Sequence, residues 1–429
     1  FSSTAIQGEI LEQCKRVINN YTKCFIMSDI DFGYNADYPL KITLKPGMES
    51  PTALRPYRLS PQQIEIAREQ LQKWEDLGVI QSYLSAWSHP AFLVKKKFNR
   101  SHQHLPEYQK ADFDYRLVVD FRSLNSKVAF TSLCTPSVDE TLDTLGRLIN
   151  GLKRECDVIL HSEIDLPSAY YQLAVAEDSI EYLAFKLGDE IRDFKAFTAL
   201  PMGFRFSSSL LYLVMGRYLG NMARRNLTFY ADDLLLMTPL KSSQYGYYQI
   251  VADLDEFLRN IARSGLKLHP SKMKIGLYET SFLGHQVTGE GMSISPKHTR
   301  ALKNFKVPAD RTELVRFLGL VNYFNKHLKD RGHLIGPLTK LMKKDQEYEW
   351  GDEQQACFEK IIKILTGQGI LGHPDFKETF FLMTDASSKA VGAALVQKPP
   401  DKLMRVIGYY GVALNRAQSK YSISCLELL

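Results

Sequence analysis

The chain has 429 residues, 45% hydrophobic and 24% charged, which is the balance of an ordinary folded protein with several subdomains. Its net charge of +6 suits an anionic partner without identifying one, and its cysteines (14, 24, 134, 156, 357, 425) show no CxxC spacing, so they read as reduced thiols of a cytosolic protein. No apolar run approaches the ~20 residues of a membrane span and no secretory leader opens the sequence, which argues against a membrane protein.

A short helical pattern near Ile10–Ile18 is followed by an extended stretch through Tyr38–Leu44. Ser60 reads as an N-cap with Pro61 at the first helical position; Ile64, Ala67, Leu71 and Trp74 recur at helical spacing until Gly78. Strands are expected at about Ala91–Lys97 and Tyr115–Phe121. The polar stretch from Phe98 to Asp114 between them contains His102 and His104, read as a solvated loop rather than a metal site. Further strands are expected at 158–165, 181–187 and 191–198, then a long helix over Ser207–Arg224. Ile250, Leu254, Phe257 and Ile261 mark another amphipathic helix, stopped by Gly265. From about Ser295 to Leu371 the pattern is mostly helical, with Thr312, Phe317, Leu320 and Phe324 leading into Leu334–Met342. Strands at Phe380–Thr384, Ala393–Gln397 and Arg405–Tyr410 precede a helix that opens near Tyr421. No repeat or low-complexity run is visible.

The most informative residues are Tyr230-Ala231-Asp232-Asp233, between the apolar runs Leu227–Phe229 and Leu234–Met237. The pattern reads as strand, tight turn, strand, with two adjacent carboxylates at the tip. Asp favours turns on its own account, but adjacent acids beside buried strands repel and lose solvation, a conflict that a divalent cation removes. A third acid, Asp165, ends the β-rich run from Val158 and precedes a segment of small and aromatic residues. Shared carboxylates that hold two cations roughly 3.5–4 Å apart are what two-metal phosphoryl transfer requires.

The order of motifs along the chain carries a resemblance. Leu93-Val94-Lys95-Lys96-Lys97 precedes Asp114-Tyr115-Arg116-Leu117-Val118-Val119-Asp120-Phe121-Arg122-Ser123-Leu124-Asn125; then come Asp165–Tyr170, Ala199-Leu200-Pro201-Met202-Gly203-Phe204 and the YADD run. Ser281-Phe282-Leu283-Gly284-His285, Phe317–Tyr323 and Thr384-Asp385-Ala386-Ser387 complete the series. The chain resembles the reverse transcriptase of gypsy-type LTR retrotransposons and retroviruses, with the start of the ribonuclease H domain. The resemblance implies an α+β right-hand polymerase of fingers, palm and thumb with an antiparallel palm sheet, followed by the first part of an RNase H-like α/β domain. Residues 1–50 would be an N-terminal extension, 51–160 mainly fingers with part of the palm, and 161–294 palm (with a fingers segment at about 181–200) and primer grip. Residues 295–371 would be thumb and connection, and 372–429 an incomplete RNase H-like domain.

The same resemblance implies residue roles. Asp165, Asp232 and Asp233 would be catalytic and would hold two Mg²⁺, with Mn²⁺ as a substitute; Asp233 reads as the less essential. Lys96 and Arg116 would grip the dNTP triphosphate, while Lys95 and Lys97 alternate away from it. Tyr170 would lie under the sugar and exclude a 2′-hydroxyl, and Met202 would line the nucleotide pocket. Tyr230 and Ala231 would lie near the primer terminus, and Phe282, Leu283, Gly284 and His285 would form the primer grip. Met202 stands where relatives usually carry Gln or Phe, and Arg205-Phe206-Ser207-Ser208-Ser209 replaces a more usual small, Pro-containing stretch. The stretch 98–114 reads as an insertion into a short hairpin. Asp385 and Glu427 would be the first two acids of an incomplete RNase H metal site, so no RNase H activity is expected of the chain as given.

The expected function is RNA-directed DNA polymerase of an LTR retroelement: dNTPs added to a primer 3′-OH on an RNA or DNA template. The expected partners are template RNA, a DNA or RNA primer, RNA–DNA hybrid, dNTPs, and the protease and integrase of a Pol polyprotein, of which the chain reads as a segment. The expected location is the cytoplasm, within virus-like particles. Two other readings stand beside it: a domesticated or decayed element serving as a non-catalytic nucleic-acid-binding or assembly module, and an RNA-directed RNA polymerase, against which Tyr170 and the RNase H-like tail argue.

Overall fold

The computed structural model describes residues 6–28, 31–95, 115–130, 134–188, 190–241, 248–343, 347–367, 369–398, 403–415 and 417–428. Lys96, Lys97 and the 98–114 stretch with His102 and His104 lie outside the described residues. The chain forms two compact units: Phe1–Ser137, Glu163–Leu236 and Tyr247–Ile275 make the first; Val138–Ser162, Met237–Gly246 and Gly276–Leu429 make the second.

In the first unit the helix Pro61–Asp76 starts as its sequence suggests. Ser60 Oγ accepts the Gln63 N–H while Gln63 Oε1 accepts the Ser60 N–H, with Pro61 at the first position. A five-stranded sheet runs in the order Ile80–Ser82, Phe194–Phe197, Ala184–Lys186, His89–Lys95, Tyr115–Val119. Only the pairing of His89–Lys95 with Ala184–Lys186 is parallel among its recorded ladders. Phe121, Phe185 and Phe197 are fully buried against this sheet, and Trp74 and Tyr171 pack on Phe197. The helix Ser207–Ala223 buries Leu210, Leu211, Val214, Met215, Leu219 and Met222, and Tyr248–Ser264 buries Ile250, Leu254, Phe257 and Ile261 as its spacing dictates. Gly265 ends that helix at φ +69°, where a Cβ would lie 2.4 Å from the Tyr34 carbonyl oxygen.

The expected strands at 181–187 and 191–198 are shorter than their alternation implies. Glu177–Leu183 and Ile191–Asp193 are 3-10 turns, leaving strands at Ala184–Lys186 and Phe194–Phe197. Local polar bonding prevails there: buried Ser179 takes the Ile42 N–H on its hydroxyl, and buried Asp193 accepts from Arg68.

The second unit contains the helix Val138–Lys153 and a sheet ordered Thr280–Phe282, His285–Val287, Gly291–Ile294, Leu371–Gly372. The helices Pro296–Lys303, Arg311–Tyr323, Arg331–Lys340 and Asp352–Leu365 enclose a core of Phe317, Leu314, Val321, Phe324, Leu338 and Ile361. Phe380–Ala386, Ala390–Gln397 and Arg405–Ala413 form an antiparallel three-stranded sheet. All six cysteines are free thiols, and among the described residues no helix is long and apolar enough to cross a membrane.

Candidate active site

The acid pair sits on a two-residue hairpin. Leu227–Tyr230 pairs antiparallel with Asp233–Leu240, Asp233 facing Tyr230, so Ala231 and Asp232 form the turn. Phe229, Leu234, Leu235 and Leu236 are buried beneath and anchor the register. Ala231 takes a positive φ of 52°, which a small side chain tolerates better than a branched one. Asp165 ends the strand Val158–Asp165, which lies next to Asp233–Leu240 in a sheet ordered Lys274–Leu277, Val158–Asp165, Asp233–Leu240, Leu227–Tyr230. The Leu166 N–H donates to the Asp232 carbonyl at 3.1 Å, tying the turn after Asp165 to the hairpin tip.

The three carboxylates act on one another. Burial pushes the Asp233 carboxyl up to about 6, and the charges of Asp232, Asp165 and Glu163 push the same way. Asp232 is raised by burial and by Asp165. Both side chains remain open to solvent on their outer side, so it is packing from below together with mutual repulsion that disfavours their charged forms. Lys272 partly offsets the repulsion: its Nζ lies 2.9 Å from Asp165 Oδ2. Lys274 pairs with Glu163 on the same side of the sheet. Lys272, Lys274 and Glu163 escape sequence reading because each contact joins positions more than a hundred residues apart.

Among the described residues no three His, Cys, Asp or Glu side chains stand ready-grouped as metal ligands. The donor chemistry fits a divalent cation nonetheless. Three hard carboxylates that raise one another's pKa have a single exposed lysine near them as counter-charge.

Around the acids, Tyr170 belongs to a 3-10 turn, Ala169–Gln172, entered through Ser168 at φ +49°. Its hydroxyl lies 3.0 Å from Ser208 Oγ. Met202 is half-buried and precedes Gly203 at φ +85°. Arg116 is exposed on the strand Tyr115–Val119, opposite Val94, and its charge reaches Tyr171.

In the second unit, Phe282 pairs with His285 across a turn in which Leu283 and Gly284 both have positive φ, 45° and 74°. That is the pattern of a type I′ hairpin, unusual for Leu at the first position. Its carbonyls hold the turn: Leu283 O accepts from Tyr323 Oη at 2.9 Å and lies 2.8 Å from His285 Nδ1, while Gly284 O accepts from Ser295 N at 3.0 Å. Asp385 is exposed near the end of Phe380–Ala386, and the helix Ile423–Glu427, which carries exposed Glu427, packs on that strand. A cavity of about 780 Å³ in this unit is lined by Phe324, Phe380, Leu395, Ile407 and Tyr410 among others and contains none of the acids. Volume is therefore no guide to the chemistry here.

Residues 108–287 match the family described as reverse transcriptase (RNA-dependent DNA polymerase), and residues 350–429 match the RNase H-like domain found in reverse transcriptase. The chain is 27% identical over 416 residues to the retrovirus-related Pol polyprotein from transposon 412 of Drosophila melanogaster, covering 97% of this chain and 31% of that polyprotein. It is 26% identical over 376 residues to the transposon Tf2-3 polyprotein of Schizosaccharomyces pombe, covering 88% of this chain and 26% of that one. It thus spans under a third of the length of these curated relatives. Among solved structures, the foamy viral protease-reverse transcriptase in complex with RNA/DNA hybrid superimposes with a TM-score of 0.80 at 19% identity, covering 99% of this chain and 52% of that one. The same enzyme in complex with dsDNA gives 0.79 at 20% identity, covering 98% and 80%.

Proposed function

We propose that this chain, which is built of a reverse transcriptase domain and an RNase H-like domain of the retroelement Pol kind, is an RNA-directed DNA polymerase. Its fold is the α+β right-hand polymerase followed by an RNase H-like domain. The observation that carries the reading is the convergence of Asp165 with Asp232 and Asp233, strong enough that each hairpin acid feels the charge of Asp165. Acids held this close are unfavourable without a role for them.

In this reading Asp165, Asp232 and Asp233 hold two Mg²⁺ (or Mn²⁺), which supply electrostatic stabilisation of the transferred phosphate and orient the primer 3′-oxygen. Arg116 and Lys96 bind the triphosphate, Arg by its planar fork and Lys as a point charge. Tyr170 places its ring where a ribose 2′-hydroxyl would sit, and Met202 adapts to the base. Tyr230 and Ala231 face the primer end, and the turn Phe282–His285 seats the primer backbone. Template RNA, primer, RNA–DNA hybrid and dNTPs are the partners, and the charge of +6 favours them in a salt-dependent way. The subdomain bounds expected above, a metal site built on Asp385 and Glu427, neighbouring protease and integrase, and residence in cytoplasmic virus-like particles belong to the same proposal.

Primer extension on an RNA template with dNTPs and Mg²⁺ tests it, comparing the wild type with Asp232→Asn. Extension by the wild type alone establishes the polymerase and its site. If neither protein extends while both bind template-primer, the chain is a nucleic-acid-binding module and the polymerase reading is wrong.

A further inference from the structure

The turn after Met202 presents a group that the polymerase chemistry leaves unused. Arg205 is exposed, and its guanidinium carbon lies 5.8 Å from the Phe130 ring centre and 5.5 Å from that of Phe206. Phe206 is 8% exposed and packs edge-on against buried Phe204, so it forms a fixed wall. Phe130 is 75% exposed and lends only part of its surface to Arg205.

The backbone here is tightly held. The Asn125 amide donates to the Gly203 carbonyl at 2.9 Å and accepts the Arg205 N–H at 2.8 Å. The Ser207 hydroxyl donates to the Pro201 carbonyl at 2.7 Å. Arg122, one turn before Asn125 on the helix Arg122–Lys127, adds a second cation on the same helix face with its side chain 84% exposed.

A largely exposed phenyl ring forgoes the burial that normally stabilises it. A guanidinium laid beside it extends the flat surface and brings a positive charge. Unpaired nucleotides offer the complement, a bare base face and a phosphate in one unit. A duplex hides its base faces in the stack, so such a surface favours single strands.

We propose that Phe130 and Arg205 form a stacking platform for an unpaired nucleotide of the template strand, with Arg122 adding charge for its phosphates. Naming that strand the template rests on the polymerase reading above; the single-strand preference does not. Arg205 belongs to the stretch that departs from the usual small, Pro-containing pattern, so this surface would be particular to this chain.

The test is fluorescence anisotropy, without nucleotide, on a primer duplex that is either blunt or carries a 5′ overhang of about six nucleotides. The wild type is expected to bind the overhang form more tightly. Phe130→Ala and Arg205→Ala should each remove about tenfold of that advantage while leaving blunt-duplex affinity unchanged. Phe130→Trp should keep it. Arg205→Lys, which keeps charge but loses the plane, should lose most of it. The platform is overturned if the wild type shows no overhang preference, if Phe130→Ala weakens both forms equally, or if Arg205→Lys retains the full advantage. A wild type that fails to extend primers yet loses overhang binding on Phe130→Ala keeps the platform and overturns the polymerase reading instead. Phe130 and Arg205 are exposed, so loss of folding does not confuse the result.

Discussion

The hydroxyls of Tyr170 and Ser208 lie 3.0 Å apart, joining the turn after Asp165 to the first turn of the helix Ser207–Ala223. Ser208 falls in the stretch where relatives more usually include proline, which has no hydroxyl to offer. Tyr170 is only half-buried, so this bond is a specific restraint on the tilt of its ring. A ring that excludes a 2′-hydroxyl discriminates only as well as it is held.

Ser208→Ala and Tyr170→Phe should therefore weaken discrimination against ribonucleotides by similar amounts. A net hydrogen bond of about 1 kcal/mol corresponds to roughly fivefold. The measurement is the ratio of kcat/KM for dNTP and rNTP, with the double variant no worse than either single one. Additive losses would show that Ser208 acts by another route. Tyr170→Ala, which removes the ring, should relax discrimination further.

Lys272 Nζ, 2.9 Å from Asp165 Oδ2, stands where a cation's charge is wanted. It should compete with a metal for that carboxylate. Lys272→Met is expected to tighten Mn²⁺ binding about fivefold in the absence of nucleic acid, the size of one unit charge acting at ~4 Å in water-like surroundings. Calorimetric titration reads this directly, and affinity that is unchanged or weaker would show that Lys272 does not compete. Little change in thermal stability is expected, because the lysine side chain is 53% exposed and such pairs contribute under about 1 kcal/mol.

Much of this was legible in the sequence wherever local pattern and tertiary demand agree. The strand Val158–Asp165, the hairpin around Ala231–Asp232, and the capped helix Pro61–Asp76 lie where their residues point. So do the apolar stripes of Ser207–Ala223 and Tyr248–Ser264. The helix Val138–Lys153 was equally open to reading, with Leu142, Leu145, Leu148 and Ile149 at helical spacing. Segments whose conformation depends on distant partners were not. Alternation at 181–187 mimics a strand, but Ser179 and Asp193 are bound by Ile42 and Arg68, and the chain turns instead. The parallel pairing of Asn35–Leu40 with Leu173–Val175 and the contact of Lys272 with Asp165 leave no local trace at all.

Gly291 offers a stability test in the second unit. It pairs with Gly372, and a Cβ at this position would lie 2.2 Å from the Leu371 carbonyl oxygen and 2.7 Å from Ile370 Cγ2. The carbonyl belongs to the paired strand and cannot swing aside as a flexible side chain would. Gly291→Ala should lower unfolding stability by at least about 2 kcal/mol. Gly336→Ala is the control: it is a helical glycine whose nearest contact would be an ordinary 3.7 Å. Equal denaturation midpoints for Gly291→Ala and wild type would refute the close approach.

His373 predicts an acid sensitivity of the same unit. It is 1% exposed, with Nε2 donating to the Thr288 carbonyl at 2.8 Å and Nδ1 unpartnered. Burial lowers its pKa from 6.5 to about 4, opposed by the Thr288 bond and reinforced by His161, Lys153 and Arg405. In the unfolded chain it would titrate near its ordinary value, so between those two pH values the unfolded state binds a proton that the folded state refuses. Stability therefore falls as pH drops through about 6.5 and levels off below about 4, a loss approaching about 3 kcal/mol for this one group. His373→Asn keeps an N–H for Thr288 and removes the titration. Urea unfolding at about pH 7.5 and about pH 5 should give a smaller difference for the variant than for the wild type, by about 2 kcal/mol. The variant retains some acid sensitivity, because His89 and His327 are also buried with lowered pKa values. A pH dependence identical to that of the wild type would mean that His373 is protonated in the folded protein, its Nδ1 having found an acceptor.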